Sequence, residues 1–343
     1  MSRKPTITDL ARECGLGPAT VDRVLHERPN VSDRARELVA QAAARLGYPV
    51  PATLSLHSRA DLPKLTLGFV LHKQGQSFYQ DFAREIEKAC QGRSDVSITP
   101  HIRFSPSQSP EDFVREMTAA AEQCDAIAAT AVNHTSTARV TEDLMKQGVP
   151  VFSALNDFAR SAGAGYFGMD NMKVGRIAAS VMAMRHQRDC TVGVMIGGTR
   201  WHGQAMRETG FRTYLREYAP QVQVLDTLVN LETRQLTYEA TLDLLNRVPD
   251  LAGMYVAGGG MEGAIAAVRE ARPPNKIALI VNELTPESRS ALADRYLTLV
   301  VATPLETLCH RLIESMVQRI QEPEQKPSIP AMLEPLLYLP ESI

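Results

Sequence analysis

The chain has 343 residues, 44% of them hydrophobic and 22% charged, with a net charge of only -2. That composition excludes a collagen-like, low-complexity or disulfide-rich chain, and the length calls for two or three folding units. The charge is unevenly placed, since residues 1–60 carry nine Lys/Arg against six Asp/Glu and the remainder carries 28 against 33, a basic head on an acidic body that fits a nucleic-acid-binding end.

The first elements are three short helices between residues 6 and 48. Thr6-x-x-Asp9 forms a capping box for a helix whose apolar face is Ile7, Leu10, Ala11 and Cys14. Gly15 permits a sharp turn, and Gly17-Pro18 restarts the chain with proline at the first helical position, where a missing N–H does no harm. The second helix runs to about His26 and buries Val21, Val24 and Leu25. Ser32 caps a third helix that buries Ala35, Leu38, Val39, Ala42 and Leu46 and stops at Gly47, with Pro49 beyond. This is the layout that pushes a second helix into the DNA major groove. Pro18, Ala19, Asp22, Arg23 and His26 then face base edges, and Arg23 is the strongest reader because its fork reaches guanine O6 and N7 together. Thr8, Gly17, Thr20, Asn30 and Ser32 are placed for phosphate contacts.

The head resembles the LacI/GalR family of bacterial transcription regulators, on TITDLARECGL, ATVDRVL and the run from Val31 to Tyr48. The resemblance implies double-stranded operator DNA and a second copy of the chain as partners, repression as the default output, and a small-molecule effector. It adds Thr6 and Tyr48 to the DNA-facing set. The family usually has Ser where Asp22 stands. Asp22 reads either as an acceptor for cytosine N4 or as an ion-pair partner of Arg23 or Arg12.

Residues 51–64 read as a hinge or linker. The resemblance implies a short hinge helix whose leucine, Leu54 or Leu56, wedges into the minor groove. Pro51 stands where that helix should begin, so a helix over 51–57 and an unstructured linker are both open readings.

From Leu65 onward apolar strands alternate with amphipathic helices, which is the pattern of doubly wound parallel α/β sheets. Strands are expected at 65–71, 96–102, 126–132, 149–155 and 165–169, then at 191–196, 222–228, 251–257, 277–283 and 296–303. The fold class is therefore α/β: a small all-α helix-turn-helix head (1–50) and a body (65–343) that binds effector and dimerises. The family implies a two-lobed, periplasmic-binding-protein-like body. Lobe 1 is expected over about 65–170 and 295–322, and lobe 2 over about 171–290 with the C-terminal segment.

In open α/β sheets ligands sit outside the carboxyl ends of strands. Those ends give Asn133 and His134, Asn156 and Asp157, Trp201, His202 and Gln204, Gly259, and Asn282 with Glu283. Phe78-Tyr79 stands where sugar-binding relatives have two aromatics, Asn156-Asp157 resembles their polar pair, and Glu283 their acidic residue. A flat apolar surface with convergent donors and acceptors suits a sugar, polyol or sugar acid. The side-chain amides those relatives carry are replaced near Ala302-Thr303 and by Gly258-Gly259-Gly260.

Five scattered cysteines show no CxxC or Cys/His spacing, the first residues lack an apolar h-region, and no window approaches 18 apolar residues. No metal, cofactor, signal peptide or membrane span is expected, and a reduced cytoplasmic protein is. Two other classes compete: a solute-binding protein for transport, and an α/β enzyme holding phosphate on its glycines. The head weighs against the first, and the absence of GxxxxGK[ST], GxGxxG and any nucleophile–base pairing against the second. A transcriptional activator with a non-sugar effector is the alternative within the leading class.

Overall fold

Gly15, at φ 67°, ends the first helix of the head with a left-handed turn, as its sequence requires. The structure is a computed structural model that describes residues 5–29, 31–51, 62–324 and 332–343. Asn30, Leu54 and Leu56, and with the last two most of the expected hinge, lie outside the described residues. The chain divides into two units, residues 1–65 with 90–99, and residues 66–89 with 100–343.

The head holds α1 (Ile7–Cys14), α2 (Pro18–Leu25) and α3 (Asp33–Leu46). Thr6 Oγ1 accepts the Asp9 N–H at 3.3 Å while Asp9 Oδ2 accepts the Thr6 N–H at 2.9 Å, closing the capping box. Ser32 Oγ accepts from the Ala35 N–H at 3.3 Å at the start of α3. Leu10, Val21, Val24, Val39, Ala42 and Ala43 form the shared core. Small residues on α3 let the helices approach closely. Leu38, expected in that core, is half-buried.

The larger unit is built on two sheets. β1 (Lys64–His72), β2 (Ser97–Ser105), β3 (Ala126–Ala129), β4 (Val151–Ala154) and β5 (Gly165–Phe167) lie in the order β2-β1-β3-β4-β5. Their helices are α4 (Ser77–Gln91), α5 (Pro110–Ala121) and α6 (Thr135–Lys146). The second sheet contains β6 (Cys190–Ile196), β7 (Val222–Val224), β8 (Leu228–Val229), β9 (Gly253–Val256), β10 (Ala278–Asn282), β11 (Leu299–Ala302) and β12 (Leu336–Tyr338). Its order is β12-β11-β10-β9-β6-β7, with β8 also paired to β6. The associated helices are α7 (Asn171–Arg185), α8 (His202–Tyr218), α9 (Arg234–Arg247), α10 (Met261–Ala271), α11 (Pro286–Ala293) and α12 (Leu305–Gln321). The strand order reverses between β1 and β3 and again between β6 and β9, so each sheet has a switch point where strand ends diverge and leave a crevice.

The strand at 296–303 corrects the expectation that it returns to the first lobe. β11 instead pairs in parallel with β10 in the second sheet, in the register Ile280↔Leu299. The cause is α11, whose weakly amphipathic sequence PESRSALA carries little helical signal. It makes β10–α11–β11 a crossover unit, which returns the chain parallel to the same sheet. The chain leaves that sheet only after Ala302, and α12 then packs on β3 and β5. β12 comes back to pair antiparallel with β11.

Two glycines bring α7 and α8 together. A Cβ on Gly175 would stand 1.9 Å from the Arg207 carbonyl oxygen, and one on Gly210 would stand 2.2 Å from that of Met172. Backbone against backbone at this distance admits nothing larger, and it fixes the turn of α8 that carries Arg207. None of the described helices is long and apolar enough to cross a membrane.

Candidate functional site

In the head, Val21, Val24 and Leu25 turn inward at helical spacing, which leaves Pro18, Ala19, Arg23 and His26 exposed on the other side of α2. Thr8 and Gly17 are exposed as well, while Thr20 and Asp22 are half-buried. The Arg23 guanidinium makes no hydrogen bond or ion pair with a described residue. Asp22 pairs with neither Arg23 nor Arg12. Its carboxylate lies 3.2 Å from Arg28 Nη1 and 3.1 Å from His26 Nδ1. Consecutive helical side chains diverge while those four apart align, which is why His26 and not Arg23 is reached. The hydroxyls of Thr6 and Ser32 are taken up in capping, and Tyr48 packs half-buried on the head core.

In the larger unit a cleft lies between the two sheets. Of the residues expected there, Phe78, Tyr79, Asn156, Trp201, Gln204, Gly259, Asn282 and Glu283 line it. Asn133, His134, Asp157 and His202 do not. Asn133 donates its amide to the Asp157 carbonyl at 3.0 Å, and His134 caps α6, taking the Ser136 N–H at 3.2 Å. The Asp157 carboxylate faces Arg160 at 3.6 Å. Burial pushes its pKa up against the pull of Arg160 and His202. Asn156, though in the wall, is fully used. Its Nδ2 donates to the Ala131 carbonyl at 2.6 Å and to Asn133 Oδ1 at 3.0 Å, and its Oδ1 accepts the Gly203 N–H at 3.0 Å. It ties the end of β4 to the start of α8. Trp201 packs against both His72 and Phe113, with ring centroids 5.2 and 6.3 Å away, and its Nε1 donates to Gln108 Oε1 at 3.2 Å.

Several wall residues were not among the expected set: Thr130, Leu155, Arg207, Glu232 and Thr285, with Glu262 at the first turn of α10. Arg207 donates through Nε to Asn171 Oδ1 at 2.7 Å and through Nη1 to the Ala257 carbonyl at 3.0 Å, which leaves Nη2 without a described partner. Arg207 lies one helical step after Gln204, so extending the strand-end reading by three residues along α8 would have reached it. Glu232 was hidden because 222–228 reads as one strand. The structure breaks that strand into β7 and β8 and so moves its carboxyl end to Asn230–Glu232.

Glu232 is 6% exposed and accepts from Gln204 Nε2 at 2.7 Å and from the Gly259 N–H at 3.1 Å. His72 Nε2 stands 3.5 Å from its other oxygen, an ion-pair distance too long for a good hydrogen bond. Burial opposes ionisation of Glu232, but His72, Lys73 and the Gly259 N–H outweigh it and hold the carboxyl below its ordinary value. Glu283 goes the other way: burial raises its pKa, only partly countered by Arg207 and by Thr303, whose N–H and hydroxyl each donate at 2.8 Å. Burial, then Glu232 and Glu283, keep the Tyr79 phenol protonated, and its O–H has no described partner. The Thr130 hydroxyl, in the wall and 1% exposed, has none either.

Gly258–Gly260 is a packing requirement. A Cβ on Gly258 would meet Gln204 Oε1 at 2.3 Å, and one on Gly260, at φ 87°, would meet Thr237 Oγ1 at 2.3 Å. One edge of the cleft is sealed by four hydrogen bonds onto two carbonyls. Lys73 Nζ donates to Leu231 O at 2.9 Å and Glu232 O at 3.0 Å, Gln76 Nε2 to Glu232 O at 3.1 Å, and Gln108 Nε2 to Leu231 O at 2.9 Å. Leu231 and Glu232 are consecutive left-handed residues, at φ 50° and 53°, which is what aims both carbonyls at the opposite sheet. Among the described residues no His, Cys, Asp and Glu side chains gather into a group able to hold a metal.

Known proteins share both parts of this arrangement. Residues 6–50 match the lacI family of bacterial regulatory proteins, and residues 67–322 match a periplasmic binding protein domain. The chain is 24% identical over 274 residues to the HTH-type transcriptional regulator GalS of Salmonella typhimurium, spanning 77% of this chain and 75% of that one. It is 23% identical over 332 residues to the regulator GntR of Pseudomonas aeruginosa, spanning 95% and 92%. Among solved structures, an ABC transporter solute-binding protein from Burkholderia graminis in complex with D-arabinose superposes with a TM-score of 0.75 at 17% identity, covering 81% of this chain and 96% of that one. GanP, a glucose-galactose binding protein from Geobacillus stearothermophilus, gives 0.71 at 18%, covering 81% and 99%. These structural likenesses establish the fold. With the head matched at one end and the two-sheet body at the other, the chain belongs to the lacI family of bacterial regulatory proteins and joins a helix-turn-helix DNA-binding head to a periplasmic-binding-protein domain.

Proposed function

We propose that the protein is a homodimeric repressor whose α2 reads an operator, and that a sugar or polyol bound in the cleft controls operator affinity. The observation that carries the effector reading is the wall of the cleft. Phe78 and Trp201 supply flat apolar surface with Met261 beside them, while Tyr79, Thr130 and Arg207 hold donors or acceptors that no described protein group uses. A polyhydroxyl ring offers the same mixture of apolar face and polar edge. Structural relatives solved in complex with sugars agree with this, one of them with D-arabinose. Three carboxylates, Glu232, Glu262 and Glu283, against the one guanidinium of Arg207 disfavour a sugar acid.

The linkage works through the two sheets. A ligand that bridges them shifts the balance between open and closed body, and the paired heads then hold a different spacing on a palindromic operator. Binding is reciprocal, so operator DNA changes effector affinity by the same factor that effector changes operator affinity. Gel shifts on DNA upstream of the gene, with and without sugars that raise the unfolding temperature, test both halves. A sugar that stabilises the protein but never alters a specific shift would sink the regulatory coupling. Absence of any specific shift would sink the operator reading.

A further inference from the structure

The carboxylates in the cleft are not equivalent. Glu232 is answered from behind by His72 and Lys73, and Glu283 by Arg207 and Thr303. Glu262 has no such partner. Arg234, whose charge draws on it, is engaged by Glu287 at 3.3 Å, and Glu287 itself adds a like charge. Glu262 accepts only its own backbone N–H at the first turn of α10, and burial raises its pKa. The arrangement leaves one half-buried carboxylate in the cavity wall, with only the shared Arg234 drawing on it among the described residues. A second, independent feature of the same wall is the Thr130 hydroxyl, 1% exposed and unpartnered, so the cavity is built to receive polar groups from a ligand.

We propose that the effector is an amino-substituted sugar or polyol whose ammonium group is taken by Glu262, while its hydroxyls meet Thr130 and the free donor of Arg207. The inference rests on the polyhydroxyl reading above and narrows it to a cationic class. An ammonium ion supplies a full counter-charge to Glu262, and its three N–H donors suit a carboxylate that no described protein donor other than its own backbone reaches. A neutral sugar leaves that half-buried carboxylate without an ammonium partner. An anionic one adds repulsion to it.

The test uses the full-length protein and matched compounds. Calorimetry and thermal unfolding are run with D-glucosamine, D-galactosamine and D-mannosamine, at a pH where the amine is charged. The parent hexoses, their N-acetyl derivatives and the corresponding sugar acids serve as comparisons. At least one amine is expected to bind about tenfold or more tighter than its parent and its N-acetyl form, with no binding by the acids. Glu262→Gln should erase the amine's advantage over its parent; an unfolding midpoint at or above wild type without ligand confirms that this variant folds. Parents that bind as well as or better than their amines overturn the inference alone, as does an amine preference that survives in Glu262→Gln. Silence from every series overturns the polyhydroxyl reading and this inference together.

Discussion

In the head, Arg23 reaches solvent with no described partner, because Val21, Val24 and Leu25 already satisfy the helix on its other side. In the body, Asn156 sits in the cleft wall with both amide atoms committed to protein groups. The two regions divide their polar residues in opposite ways. A small helical head has one core and one outer face, so recognition falls to whatever packing does not use. A cleft between two sheets must first be held in shape, and the polar residues nearest the strand ends do much of that holding. Position at a strand end is therefore weak evidence of ligand contact, whereas an unused donor or acceptor in the wall is strong evidence.

The sharpest way to break this comparison is to remove a partly free group and a fully committed group from the same wall. Arg207→Ala should weaken effector binding by about 1.5–3 kcal/mol, roughly 10- to 150-fold, with operator binding intact; calorimetry against a sugar that stabilises the wild type measures it. Asn156→Ala should act mainly on folding. It strands the Ala131 carbonyl, the Asn133 amide oxygen and the Gly203 N–H, and should cost about 1–3 kcal/mol in urea unfolding. If instead Asn156→Ala is as stable as wild type and only effector affinity falls, Asn156 is a ligand contact and the contrast fails.

Much of the fold was legible because buried parallel strands and amphipathic helices differ in length and period. Two features were not. The helix at Pro286–Ala293 is eight residues long with almost no apolar face, and without it the strand Leu299–Ala302 has no crossover to keep it in the second sheet. The break between Val224 and Leu228 falls inside VQVLDTL, whose composition is that of one continuous strand, and this concealed Glu232. For the cleft, chain position gave the strand ends, but which side chain turns inward depends on partners distant in sequence. Asn156 meets Gly203 across 47 residues, and Arg207 meets Ala257 across 50. The head escapes this difficulty because its outer face follows from helical period alone.

The head offers the finer tests. Arg23→Ala should lose about 1–3 kcal/mol at one base pair, read as a relaxed preference there in gel shifts on single-substituted operators, with thermal stability unchanged. Equal loss on every sequence would make Arg23 a phosphate contact. Asp22→Ser should have the smallest effect on stability. Its partners Arg28 and His26 are exposed, and pairs of this kind contribute about 0–1 kcal/mol. The substitution releases Arg28 and removes a negative charge from the helix facing the DNA. Affinity for all DNA should therefore rise modestly, with a steeper dependence on salt, because one more cation is free to displace counterions. Should Asp22→Ser instead lose preference at a single cytosine-bearing position, the carboxylate reads a base directly, and Asp22 joins Arg23 among the residues that folding leaves for recognition.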